Sequence, residues 1–312
     1  MNQRTAAVID PILSTHARGY RNAELISHLL FPRVTIPNRS MRVLKFGKES
    51  FRLMNTRRSP GAAKARIQYG FDSDSISLVQ DALEGFVPVE HQEEASKVPG
   101  VDLGRSAINM VLDIVDLGME KEAADLARNA ALYADSNKVT LTGSARWSDA
   151  ASDPLADIDE AKDSIRRMIG RYPNMLTLGP SVIKALKRHP KIKEQFKYTT
   201  AASITTEMLA GYFDLEKIVV GKAVFLPETA PDTQPASDIW GDDAILSFTP
   251  SNAERYDIPS FAYTYELSGY PQVMRPYFEE RTDSWVYPTK TERRPYLVGA
   301  ESGFLFKDAG KK

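Results

Sequence analysis

Two glycine turns come nearest to ligand chemistry. At Gly179-Pro180 a short apolar run, Met175 to Leu178, meets a helical stretch, the order in which many nucleotide sites begin. A phosphate cradle needs several consecutive amides aimed at one anion. Here a single glycine is followed by a proline, which has no N–H to give and is a routine helix start. The turn therefore reads as architecture. Gly221-Lys222 fails the P-loop pattern as well: Glu216 stands where the first glycine is needed and Ala223 where Ser or Thr should follow. Neither G-x-G-x-x-G nor G-x-S-x-G occurs. The four histidines, His16, His28, His91 and His189, are dispersed, and His91 within "EHQEE" lacks the H-E-x-x-H spacing that aims two imidazoles at one zinc. Adjacent acids (Asp72/Asp74, Asp242/Asp243, Glu279/Glu280) read as surface pairs, because acid–base work needs burial or a partner that splits their pKa values. Trp147, Trp240 and Trp285 fit core or interface filling better than base stacking. No catalytic residue, metal site or cofactor site emerges, so the reading is not an enzyme.

Composition narrows the class further. The chain has 312 residues, 42% hydrophobic and 26% charged, with a net charge of −1. That is ordinary for a folded domain and offers no general cationic surplus for coating nucleic acid. Cysteine is absent, which removes disulfides and thiolate ligands together. No leader pattern or membrane-length apolar run is visible, which predicts a soluble chain folding in a cytosol, with no membrane partner.

Charge is unevenly distributed along the chain. Residues 41–70 hold eight basic residues against Glu49, and residues 71–94 hold seven acids and no Lys or Arg. "MRVLKFGKESFRLM" alternates like a strand and "SPGAAKA" is flexible, which predicts a long two-stranded arm with limbs of opposite sign. The limbs could pair within the chain or dock on another subunit. Upstream, residues 1–40 read as an extended arm with one short helix around Asn22 to Leu30. From 103 to 135, apolar residues including Ala107, Ile108, Val111, Met119, Ala123 and Tyr133 recur at steps of three and four. This predicts one amphipathic rod of about 50 Å, which Gly118 could bend. Such a rod braces something extended. Asp157 and Glu160 suggest a capping box for the next helix. Helices follow at Ser181 to Arg188 and Thr205 to Tyr212, with strands at 217–227 and 244–248. Aromatic, alternating β-structure fills 260–289, and a final strand pair lies in "PYLVGAESGFLFKDA".

That order of elements resembles the major capsid proteins of tailed bacteriophages, which have the Hong Kong 97 fold. "RYPNMLTLGPSVIKALKRHPKIKEQFKYT" is similar to the opening of their axial domain, and "LEKIVVGKAVFLPETA" with "DIWGDDAILSF" to its strand pairs. The resemblance implies an α+β fold with an N-terminal arm at 1–40 and an extended loop at 41–95. It also implies a peripheral domain at 96–151 and 256–292 with its spine helix at 103–135, and an axial domain at 152–255 and 293–312. It implies a structural subunit that self-assembles into hexamers and pentamers of an icosahedral head around double-stranded DNA, enclosed without sequence-specific binding. The implied partners are a separate scaffolding protein, a portal and a decoration protein, and the implied location is the virion, after assembly in the host cytoplasm. The chain lacks the long helical N-terminal segment of one branch of the family, and its start at Met1 favours scaffolding by a separate protein. Contacts between subunits are expected through the basic limb, Arg52, Arg57, Arg58, Lys64 and Arg66. One candidate acceptor is the spine-helix face bearing Asp113, Asp116 and Glu120. A cellular encapsulin-like compartment and a soluble α/β enzyme built on residues 152–255 are the rival readings.

Overall fold

The computed structural model describes residues 9–43, 53, 57–61, 64, 75–98, 100–197, 204–231, 233–250 and 260–311. Asp10 opens the first helix, α1 (Pro11–Gly19): its carboxylate accepts from the N–H groups of Ile12 and Leu13. A single helical turn follows, α2 (Ser27–Leu30), then strands β1 (Arg33–Ile36) and β2 (Ser40–Arg42). The helix expected around Asn22 to Leu30 is the single turn α2, and α1 precedes it where no helix was expected. Asp10-Pro11 supplies a cap and a start that the apolar pattern did not weigh. Strand β3 (Ser75–Ser77) pairs antiparallel with β2, and β4 (Val79–Pro88) runs on from it into helix α3 (Val89–Ser96). Only β2 and β3 pair as limbs of the expected two-limbed arm; β4, which carries Asp81 and Glu84 of the acidic limb, pairs along its whole length with residues 284–293 instead. Most of the arm's basic limb, including Arg52 and Arg66, lies outside the described residues.

The rod is helix α4 (Leu103–Ala127), capped by Asp102, whose carboxylate accepts from Arg105 N–H. Its 25 residues span about 37 Å, shorter than the sequence suggested. The apolar period continues to Tyr133 because the chain beyond Arg128 folds back in short turns. Tyr133 donates its hydroxyl to the carbonyl of Ala127, one of the last in the helix, at 2.6 Å. Gly118 lies inside the continuous helix.

Beyond it come β5 (Lys138–Thr140), α5 (Pro154–Ile169), β6 (Met175–Leu178), α6 (Pro180–Arg188), α7 (Pro190–Gln195) and α8 (Thr206–Tyr212). Strands β7 (Lys217–Val220), β8 (Val224–Phe225), β9 (Ser237–Asp238) and β10 (Ala244–Ser247) follow. The last are β11 (Ala262–Leu267), β12 (Gln272–Val273), β13 (Tyr277–Glu279), β14 (Ser284–Leu297) and β15 (Gly303–Lys307). Helix α5 starts about one turn before the expected box. Asp153 is its cap, accepting from Ala156 N–H, and Asp157 instead accepts from the Trp147 indole at 2.8 Å.

Two sheets carry the fold. The first has the order β5-β15-β10-β6-β7. Its central strands β6 and β10 are buried at every position, which explains their unbroken apolar runs. Alternate residues serve opposite faces. Leu176, Leu178, Leu246 and Phe306 pack with Ile158 and Ile165 of α5 and Leu186 of α6. Met175, Ile245 and Leu305 meet Leu30 and Phe31 of the arm and Ala123, Ala124 and Ala127 of α4. The second sheet has the order β1-β11-β14-β12, with β4 and β13 also on β14. The N-terminal half of α4 lies on it so closely that a Cβ at Gly85 would stand 3.0 Å from the Ala107 carbonyl oxygen.

Gly179 is also fixed by close approach. Its backbone is in ordinary extended geometry, but a Cβ there would sit 1.8 Å from the carbonyl oxygen of Gly241. The turn packs against a loop. Gly179→Ala should therefore displace that loop and cost roughly 1–3 kcal/mol, as overpacking does. A lowered midpoint in chemical denaturation is expected, and an unchanged midpoint would contradict this assignment.

Candidate functional site

The three α4 acids share one helix face, and the structure brings them together as expected. It does not leave them open. Glu120 has no accessible surface. One carboxylate oxygen accepts from Ile26 N–H at 3.1 Å and from the Trp240 indole at 2.7 Å; the other accepts from Ser27 N–H at 2.7 Å. Asp116, also buried, pairs with Arg293 at 2.5 Å and Arg33 at 3.7 Å. Asp113, half-buried, accepts from the Tyr20 hydroxyl at 2.8 Å and the Asn22 amide at 2.9 Å. Burial, followed by the Asp113 carboxylate, pushes the Tyr20 phenol up to about 12. The expectation of a free acidic face on α4 is therefore corrected. Asp113, Asp116 and Glu120 are engaged by their own chain, and Asp116 and Glu120 are too enclosed to meet a neighbour. The reason is the arm: residues 20–36 return along α4 and cover its polar stripe.

Of the basic limb, Arg57, Arg58 and Lys64 are exposed, and Arg52 and Arg66 fall outside the described residues. Sequence reasoning missed the partners that make the α4 face a joint. Trp240, expected only as filling, lends its N–H to Glu120. Asp243, read as half of a surface pair, is buried and holds Arg128 at 2.6 Å while accepting from Asp308 N–H at 2.9 Å. Arg128 also donates to the Ile239 carbonyl at 2.8 Å. So the helix is bolted at two levels to the loop between β9 and β10. A fourth pair closes the far sheet: exposed Arg39 grips buried Glu292 at 2.8 Å, and Tyr270 adds a hydrogen bond at 3.0 Å. The Arg39 hydrogen bond holds the Glu292 carboxyl below its ordinary value of 4.5.

The surface left open is of another kind. Strand β4 pairs, among the described residues, with β14 alone, leaving one long edge with Val79, Leu83 and Phe86 exposed. Tyr277, Phe278 and Trp285 on β13 and β14 are exposed as well, with the Phe278 and Trp285 rings edge to face at 5.7 Å. Next to it, α3 presents Glu90, Glu93 and Glu94 at helical spacing. Among the described residues there is no group of metal-ligating side chains and no helix long and apolar enough to cross a membrane. The Ser152 hydroxyl stands 3.2 Å from His189 Nε2, but both side chains are buried and the hydroxyl also donates to the Asp149 carbonyl at 2.9 Å. A strand edge, an aromatic patch and a charged helix suit contact with other protein surfaces.

The phage major capsid protein E family model matches residues 133–305, more than half the chain. The chain belongs to that family. A major capsid protein of Burkholderia phage BcepMu is 35% identical over 96% of this chain and 95% of its own length. The crystal structure of a phage-related protein from Bordetella bronchiseptica RB50 is 42% identical, with a TM-score of 0.86 over 98% of this chain and 99% of that one. The mature capsid of bacteriophage PhiM1 agrees in fold alone, at 13% identity and a TM-score of 0.54 over 93% and 88% of the two chains. The Hong Kong 97-type α+β fold expected from the order of elements is borne out. This phage major capsid protein is a structural component of the virion head, not an enzyme, and it works as many copies in one shell.

Two outcomes follow, one for the joint and one for the Arg39–Glu292 pair. Glu120→Ala strands three buried donors, at about 1–3 kcal/mol each, and should leave the subunit unfolded or badly destabilised in chemical denaturation; a wild-type midpoint would contradict the joint. Glu292 is stabilising while ionised in the fold, so its contribution is present above about pH 4.5 and is lost as pH falls through its lowered value. Wild type and Arg39→Ala should therefore differ in stability at about pH 7 and converge as pH falls through the lowered Glu292 value. Curves that stay parallel would show that the pair is idle.

Proposed function

We propose that this capsid subunit tiles hexamers and pentamers of an icosahedral head that encloses double-stranded DNA. The observation that carries the reading is the split between a joint that occupies Asp116, Glu120 and Asp243 within the chain and an outer strand edge with no partner among the described residues. We assign residues 1–40 to the arm, 41–95 to the extended loop, 96–151 and 256–292 to a peripheral domain and 152–255 and 293–312 to an axial domain. The six-stranded and five-stranded sheets support a two-part division, although β5 pairs into the five-stranded sheet and β14 runs across the boundary at 292. A separate scaffolding protein, a portal and a decoration protein complete the proposed partners.

In this reading the basic limb, Arg52, Arg57, Arg58, Lys64 and Arg66, crosses to the next subunit. With the α4 acids occupied, the exposed face of α3 (Glu90, Glu93, Glu94) is the better acceptor. Each exposed ion pair contributes only about 0–1 kcal/mol, so the effect comes from repetition over the lattice. Reversing Arg57 and Arg58 to Glu should cut particle yield at least about tenfold, the equivalent of roughly 1.4 kcal/mol per contact set. Reversing Glu90, Glu93 and Glu94 to Lys in the same chain should restore part of it. Normal particle yield from the arginine variant, measured by electron microscopy and sedimentation, would refute the contact. Nuclease-protected DNA in purified wild-type particles is the expected content; protein cargo in its place would favour an encapsulin-like shell.

A further inference from the structure

The whole chain carries a net charge of −1, yet residues 184–197 hold six Lys or Arg against one acid, Glu194. The fold puts most of this charge on one elbow. On α6, Lys184, Lys187 and Arg188 fall at i, i+3 and i+4, all exposed, opposite the buried Val182 and Leu186. Lys193 extends the face onto α7. None of these four forms a salt bridge among the described residues, while the neighbouring Lys191 is tied to Asp153 at 2.9 Å. The elbow itself is rigid. His189, buried at the bend between the two helices, shares its Nε2 with the Ser152 hydroxyl at 3.2 Å and the Asp149 carbonyl at 3.1 Å.

We propose that this elbow is a phosphate-contact surface that meets the backbone of the enclosed DNA. Chemistry separates this from an acidic protein partner. Protein interfaces are anchored by apolar or aromatic side chains, and among the described residues from 173 to 197 no large hydrophobic side chain is exposed. Duplex DNA asks for no such anchor: it presents a charge about every 1.7 Å and is held by Lys and Arg at its phosphates without reading sequence. Nine helical residues span about 13 Å, enough to face several phosphates. A small cationic elbow on a chain of near-neutral net charge touches DNA weakly in each copy, which leaves the genome able to move.

The inference rests on the reading of the shell as a DNA container, and its test is separable from that reading. The full-length subunit is titrated with a fluorescent duplex of about 30 base pairs at several salt concentrations, alongside a variant with Lys184, Lys187, Arg188 and Lys193 all changed to Gln. The expected result is a loss of at least about tenfold in affinity near 100 mM salt. The dependence of log K on log salt should become shallower by about 3 to 4, one contact accounting for roughly 0.9. Should the fourfold variant fold poorly, Lys187→Gln with Arg188→Gln should shift the slope by about 2. Unchanged affinity and slope overturn the proposal. So does a variant that stops binding polyglutamate while still binding DNA, because the elbow would then serve an acidic protein. The DNA content of wild-type particles reports on the container reading independently of the variants.

Discussion

A carboxylate removed from water is tolerated only where donors replace the lost hydration. Glu120 meets that demand with two backbone N–H groups from the arm and the indole N–H of Trp240. The three donors come from the start of α2 and from the loop before β10, so a single side chain on the spine helix ties together three parts of the chain. The arm cannot leave α4 without exposing Glu120, and the β9–β10 loop cannot shift without unpairing Trp240. Arg128 with Asp243 repeats the bolt two turns further along the helix. The two sheets share α4, and these contacts fix its C-terminal half to one while its N-terminal half lies on the other.

A shell protein has reason to be built this way. Its stability as a tile and its affinity for neighbours must come from different groups, or each tile would fold only within the lattice. The joint engages Asp113, Asp116, Glu120 and Asp243 within the chain. What remains outside, among the described residues, is a strand edge without a partner, exposed aromatic side chains and exposed charge in separate zones: acid on α3, base on the limb and on the α6–α7 elbow. Weak contacts of that sort become decisive through multiplicity.

The periodic elements could be read directly from the chain. The three-and-four spacing located α4, the apolar runs located β6 and β10, and proline after glycine located α6. The α4 length was overread because Ala130 and Tyr133 keep the helical period while packing back from a turn; periodicity reports burial, and only the backbone decides how the chain gets there. The site was harder. Asp113, Asp116 and Glu120 looked like a wet face because a single sequence shows a polar stripe but not what covers it. One signal was present: Glu120 is in phase with Ala124 and Ala127, small residues that mark close approach by another segment. Asp243 was hidden for the same reason, since its partner Arg128 lies 115 residues away.

The central claim is that each subunit folds its own arm onto its own spine helix and meets its neighbours elsewhere. A cryo-electron-microscopy map of assembled particles, at a resolution that traces residues 20–36, tests it directly. The account requires unbroken density joining this segment to the helix of the same chain, with Ile26 and Ser27 on that chain's Glu120. An arm that passes to the adjacent subunit and places those residues on a neighbour's Glu120 would contradict it.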